Sequence, residues 1–314
     1  VGQVTAETEI SGRRDWQSRL GIGTVQFGQE YAIGTGETRP GHVEIASILD
    51  IAASAGILLL DTASAYGDAE AVLGGVLPPG HQFRIVTKTA VFDREAMRPE
   101  DGDTLAEVFH KSLDDLGVGS VYGLMIHKAS NLIGEGGEHL FDAMKNLKQK
   151  GRVEKIGVSV YDAQQIESVL ARFPIDLVQV PVSILDQRLV AGGQLRELKK
   201  KGIEIHARSV FLKGLVFADP RHLPDHFEDV RESLGAFREE VTARGATPQE
   251  AALSYVLDNP DIDTVLCGVT SAAQLSQIVS GMGLSPLPDP QRFALAGTDI
   301  LNPARWPAFS VATS

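Results

Sequence analysis

The chain contains one cysteine, Cys267. A single thiol excludes an intramolecular disulfide and any metal site built from several cysteines, and it fits a reducing compartment, so a cytoplasmic location is expected. Cys267 follows Val265 and Leu266 on an apolar run and reads as a small buried hydrophobe rather than a reactive thiol. Positive charge is also scarce. Against 41 Asp and Glu stand 29 Lys and Arg, a formal net charge of -12. This disfavours nucleic acid or an anionic membrane as a partner and leaves room for a local basic pocket. No apolar run is long enough to span a bilayer. Residues 1–14 carry acids without the apolar core of a secretory signal, and a chain opening on Val1 is compatible with a further segment upstream. No Pro/Gly/Ser linker or composition break divides the sequence, so one domain is expected over residues 1–314.

What is present is a regular alternation. Short apolar or β-branched runs occupy residues 21–27, 57–60, 85–87, 121–126, 156–160, 177–180, 203–207 and 264–266. Between them lie stretches with helical spacing, such as Ile45, Ile48, Leu49 and Ala52, or Leu140, Met144 and Leu147 ahead of Gly151. Thr247-Pro248 opens another helix with an N-cap and a first-turn proline. Continuous apolar strands alternating with helices imply a parallel sheet covered by helices. Eight such units favour an α/β fold of the closed (β/α)8 barrel type, for which about 250 residues suffice and 314 leave room for extensions.

In such a barrel the C-terminal ends of the strands form the active-site face, and four polar residues fall there. Leu58-Leu59-Leu60 delivers Asp61 and, one short loop later, Tyr66; Ile85-Val86-Thr87 ends in Lys88; Gly123-Leu124-Met125-Ile126 ends in His127. A phenol titrates near pH 10, too high for efficient proton exchange at neutral pH, and a neighbouring ammonium would lower it. Asp61 would keep Lys88 charged in a partly dry pocket, and a neutral His127 could donate to a substrate carbonyl. This set suits carbonyl reduction. Each residue also has an ordinary structural reading, as a cap, a rim hydrogen bond or packing; their conjunction in this order favours the catalytic one.

The arrangement resembles the aldo-keto reductases. The likeness rests on Asp61-x-Ala63-x-x-Tyr66-Gly67 followed by Lys88 and His127, with Gly21-Ile22-Gly23-Thr24 similar to the family's first strand and Lys155-Ile156-Gly157-Val158-Ser159 to its Gly-Val-Ser segment. It covers roughly residues 18–285. The resemblance implies hydride transfer between a nicotinamide dinucleotide and a small aldehyde, ketone or alcohol, with a sugar-like substrate compatible with the polar loops. It implies Tyr66 as proton donor or acceptor, Lys88 and Asp61 in support, and His127 as carbonyl polariser. Gly23, Thr24, Ser159, Gln179, Arg208, Ser209, Gly268, Thr270, Ser271 and Gln274 are implied at the cofactor. A regulatory subunit that binds the cofactor with little turnover is the alternative.

The sequence departs from the family's pattern in three places. Val160 stands where an Asn often follows the serine, and Arg208 where many members place a stacking tyrosine. The segment from Gly268 to Gln274 lacks the Lys or Arg that commonly grips the adenosine 2'-phosphate, leaving Ser271 and backbone donors unless Lys213 or Arg208 folds back. NADP(H) is therefore expected to be only slightly favoured over NAD(H). Two connections, residues 212–230 and the tail from Leu284, are expected as loops shaping the pocket. His222 and His226 have a metal-pair spacing, but Pro224 interrupts a helix there, and a solvated loop is expected with no metal. Gly21-x-Gly23 with Gly28 lacks the dinucleotide fingerprint's spacing and is no Rossmann motif.

Overall fold

A computed structural model of the chain describes residues 16–29, 39–281, 286–297 and 299–306. Eight parallel strands close into a barrel: β1 (Leu20–Gly23), β2 (Leu59–Asp61), β3 (Arg84–Lys88), β4 (Val121–Ile126), β5 (Val153–Ser159), β6 (Leu177–Pro181), β7 (Glu204–Arg208) and β8 (Thr264–Gly268). Each pairs with its sequence neighbours, and β8 closes on β1 with Gly23 opposite Gly268. The first strand is shorter than its apolar run suggested. The chain leaves β1 at Gly23 and turns into a short helix, Val25–Gly28, because both the amide and the hydroxyl of Thr24 are tied to the Asp61 carbonyl, at 2.9 and 3.0 Å. Phe27 is thereby fully buried outside the barrel rather than extended along it.

The barrel has an apolar plug. Leu59, Val86, Met125, Leu177 and Leu266 pack on one another. Side chains along a strand alternate with period two, so the residue two places further on stands above that plug: Asp61, Lys88, His127, Gln179 and Gly268. The plug dries the floor of the site. A larger core joins the outer face of the sheet to the helices, including Ile45, Ile48, Leu49 and Ala52 from His42–Ser54 and Leu140, Met144 and Leu147 from Gly137–Gln149. The helix Pro248–Leu257 begins with a reciprocal cap in which Glu250 N–H donates to Thr247 Oγ1 and Thr247 N–H to the Glu250 carboxylate.

A further cluster lies beneath the connection after β7 and the C-terminal tail, where Phe227, Leu234, Phe237, Phe293 and Leu301 meet and Trp306 closes against Phe227. The described part of the tail thus packs a secondary core rather than a pocket wall. His222 approaches Asp219 at 3.4 Å and His226 lies edge-on to Phe227. Among the described residues, no three His, Cys, Asp or Glu side chains gather as a metal ion would require, and no helix is long and apolar enough to cross a membrane.

Candidate active site

Strand ends and the loops that follow them enclose a groove of about 760 Å³ above the plug, within the range of small-molecule and cofactor sites. Its floor is an ion pair. Lys88 Nζ lies 2.7 Å from each oxygen of the Asp61 carboxylate and donates to the Thr62 carbonyl at 3.0 Å. Gln179 Nε2 adds a donor to Asp61 Oδ1 at 2.7 Å. Burial pushes the Lys88 ammonium down, but Asp61 and Tyr66 outweigh it and leave the group above its ordinary value, so it stays charged.

Tyr66 and His127 stand over this pair. Their rings meet edge to face with centres 5.6 Å apart, and Lys88 Nζ is 5.0 Å from the centre of the Tyr66 ring. A tight contact fixes the tyrosine loop. Gly67 has φ +61°, and Gly28 approaches so closely that a Cβ there would stand 1.8 Å from the Tyr66 carbonyl oxygen. Ser64 Oγ also donates to the Lys88 carbonyl at 3.1 Å, linking the loop to β3.

The protonation states differ from a simple Lys-activated phenolate. Burial raises the Tyr66 phenol above its ordinary value, and the Lys88 charge pulls it down without prevailing. Lys88 acts on this phenol in the expected, lowering direction, but the plug and the surrounding loops remove more solvent than one paired ammonium compensates. His127 moves to about 4, through burial first and then the Lys88 charge, with Arg208 adding to the shift against Asp61. It is therefore neutral at pH 7. Its Nδ1 is buried without a hydrogen-bond partner, as is Oε1 of Gln26, which lines the same groove after β1.

Thirteen of the fourteen residues expected from sequence line the groove, and Ser271 does not: its Oγ accepts the Gln274 amide and caps the helix Ala272–Gly281. Thr24 reaches the groove with its hydroxyl committed to the Asp61 carbonyl. Ser159 pairs in register with Gln179, buried at the end of β5. Arg208 does not wait for a cofactor ring. Its guanidinium lies 4.3 Å from the Tyr161 ring centre and donates to the Val160 carbonyl and to Ser209 Oγ, each at 3.1 Å. The chain then reverses through positive φ at Ser209, Leu212, Lys213 and Gly214, which brings Phe211 and Lys213 back over the groove. Only the first part of the 212–230 connection lines the site. Tyr161, two residues beyond Ser159, and Gln26, three beyond Gly23, also line the groove, and in the sequence only their offset from a strand end marks them.

These donors fit an extended dinucleotide, since the groove has the volume, two orphaned polar atoms in its lining and a neutral imidazole at one end. The sequence also matches the model of the Aldo/keto reductase family over residues 19–294. It is similar to the NADH-specific methylglyoxal reductase of Escherichia coli (strain K12), 24% identical over 306 residues that cover 85% of this chain and 90% of the relative. Oxidoreductase YdhF of the same organism is 27% identical over 233 residues, covering 69% and 74%. Among solved structures, the holo form of aldo-keto reductase AKR11C1 from Bacillus halodurans superimposes with a TM-score of 0.68 at 22% identity, over 88% of this chain and 90% of that one.

Proposed function

The chain belongs to the aldo/keto reductase family, and from that premise we propose that it is an oxidoreductase that uses a nicotinamide dinucleotide to interconvert a small aldehyde or ketone and its alcohol. The observation that supports this most is the placement of the Tyr66 phenol and a neutral His127 together over a buried Lys88–Asp61 pair at one end of the groove.

A bound cofactor would supply the hydride. The residues supply the rest. Tyr66, kept protonated by burial, donates its proton to the carbonyl oxygen, and the phenolate left behind is stabilised by the Lys88 ammonium. Asp61, oriented by Gln179, holds Lys88 charged throughout. His127 donates a hydrogen bond to the same oxygen without competing for the proton, since an imidazole near 4 is a weak base. In the alcohol direction Tyr66 takes the proton back. Phe211 and Phe217 on the returning loop, with ring centres 5.0 Å apart, give the groove an apolar side.

A panel of small carbonyls and alcohols, including methylglyoxal, assayed with NADH and NADPH tests this reading. Cofactor-dependent turnover of at least one pair is expected; cofactor binding without turnover of any would favour the regulatory alternative.

A further inference from the structure

The helix Ala272–Gly281 lines the groove with Gln274, Gln277 and Ile278, and its first turn holds an acid that the proposed reaction does not use. The first turn of such a helix is where a phosphate gains most from backbone donors, but here the donors are engaged. Thr270 N–H donates to Gln274 Oε1 at 2.8 Å, Gln274 N–H to Ser271 Oγ at 3.2 Å, and Ala272 N–H to Oε1 of Glu44 at 2.6 Å. Glu44 projects from the first turn of His42–Ser54, which packs along the helix Ala272–Gly281. No Lys or Arg occurs from Gly268 to Gln274 to offset its charge.

We propose that Glu44 selects the cofactor, favouring NAD(H) over NADP(H). The proposal rests on the reading of the groove as a dinucleotide site. Hydride transfer fixes the nicotinamide beside Tyr66 and His127, so an extended dinucleotide must run its adenosine toward the far end of the groove. The two cofactors differ there in one group, a ribose 2'-hydroxyl or a 2'-phosphate. A carboxylate accepts a hydrogen bond from the hydroxyl and repels the phosphate. Such selection runs against the slight NADP(H) preference expected from sequence, through a contact between residues 228 positions apart. Lys213, which lines the groove from the loop after β7, is the competing determinant.

Fluorescence titration of NADH and NADPH against the wild type, Glu44→Gln and Lys213→Ala decides the matter, with circular dichroism to verify folding. Glu44→Gln keeps an acceptor for the Ala272 amide and removes the charge. The wild type should bind NADH about tenfold or more tighter than NADPH, equivalent to about 1.4 kcal/mol. Glu44→Gln should tighten NADPH by about tenfold and leave NADH within about twofold. A wild type that prefers NADPH, a folded Glu44→Gln with the same ratio, or a ratio that shifts only in Lys213→Ala overturns the proposal. If Glu44→Gln does not fold, salt decides: screening of a repulsion should narrow the wild-type ratio as ionic strength rises, and a constant or widening ratio overturns it. Binding of neither dinucleotide removes the reading of the groove and the proposal with it.

Discussion

Lys88 is a charge held where water does not reach, 1% exposed, with its ammonium donating to the Asp61 carboxylate and the Thr62 carbonyl. An ion pair in such a place costs desolvation, and removing one partner leaves the other uncompensated. Lys88→Met should therefore destabilise the protein by about 3–5 kcal/mol in urea unfolding, and adding Asp61→Asn should restore part of the loss. A single variant as stable as the wild type would show that Gln179 alone satisfies Asp61. His127 makes a separate prediction. With its proton lost near pH 4, its ionisation should leave the rate of hydride transfer level from about pH 5.5 to 8; a step near 6.5 in that rate, absent from His127→Asn, would place the imidazole in a wetter setting than the structure shows. At this scale the sequence displayed the polar residues themselves, because each ends an apolar run. Their protonation was not legible, since it depends on how much solvent the plug and loops remove. Glu44 was hidden altogether: its partner is an amide far away in the chain, and a lone Glu in a first helical turn looks like any dipole-favourable acid.

At the scale of elements, all eight strands were legible because parallel barrel strands are apolar on both faces. The miss was the end of β1. Val25 and Phe27 are as apolar as a strand requires, and only the pairing of Thr24 with Asp61 turns them into a helix. That helix has a consequence for the site, for it sets Gly28 against the carbonyl of Tyr66. Gly28→Ala should push the tyrosine loop outward and lower kcat by on the order of 10²-fold while leaving cofactor affinity nearly unchanged. Full activity in that variant would mean that the loop shifts without disturbing the phenol. The connection after β7 divides in the same manner. Its opening residues return over the groove, whereas Leu223, Phe227 and Val230 are buried in the secondary core, a split that the Pro- and His-rich composition did not reveal.

Across the whole molecule, the charge held within the barrel forms two layers, toward opposite ends of the strands with the apolar plug between them. Below it, at the N-terminal ends of the strands, Glu204 accepts from the Tyr122 hydroxyl at 2.7 Å, contacts His206 Nε2 at 2.7 Å and pairs with Lys155. Burial pushes the Glu204 carboxyl up, but His206, Lys155 and Tyr122 prevail and hold it at about 2, against an ordinary value of 4.5. A depressed carboxyl contributes stability that is complete above the unfolded value and is lost as pH falls through the folded one. The difference in Tm between wild type and Glu204→Gln should accordingly shrink between about pH 4.5 and 2; a difference constant over that range would mean that Glu204 titrates normally. Above the plug, the second layer is the Lys88–Asp61 pair with Tyr66 and His127 over it, and the central claim is that this layer moves a proton as hydride is transferred. Single-turnover oxidation of pre-bound NADH by a small carbonyl, followed by the loss of NADH absorbance in wild type and Tyr66→Phe, tests that claim most directly. The account predicts unchanged NADH affinity and a rate lower by on the order of 10² or more in the variant; an equal single-turnover rate would contradict it and assign the proton to another group.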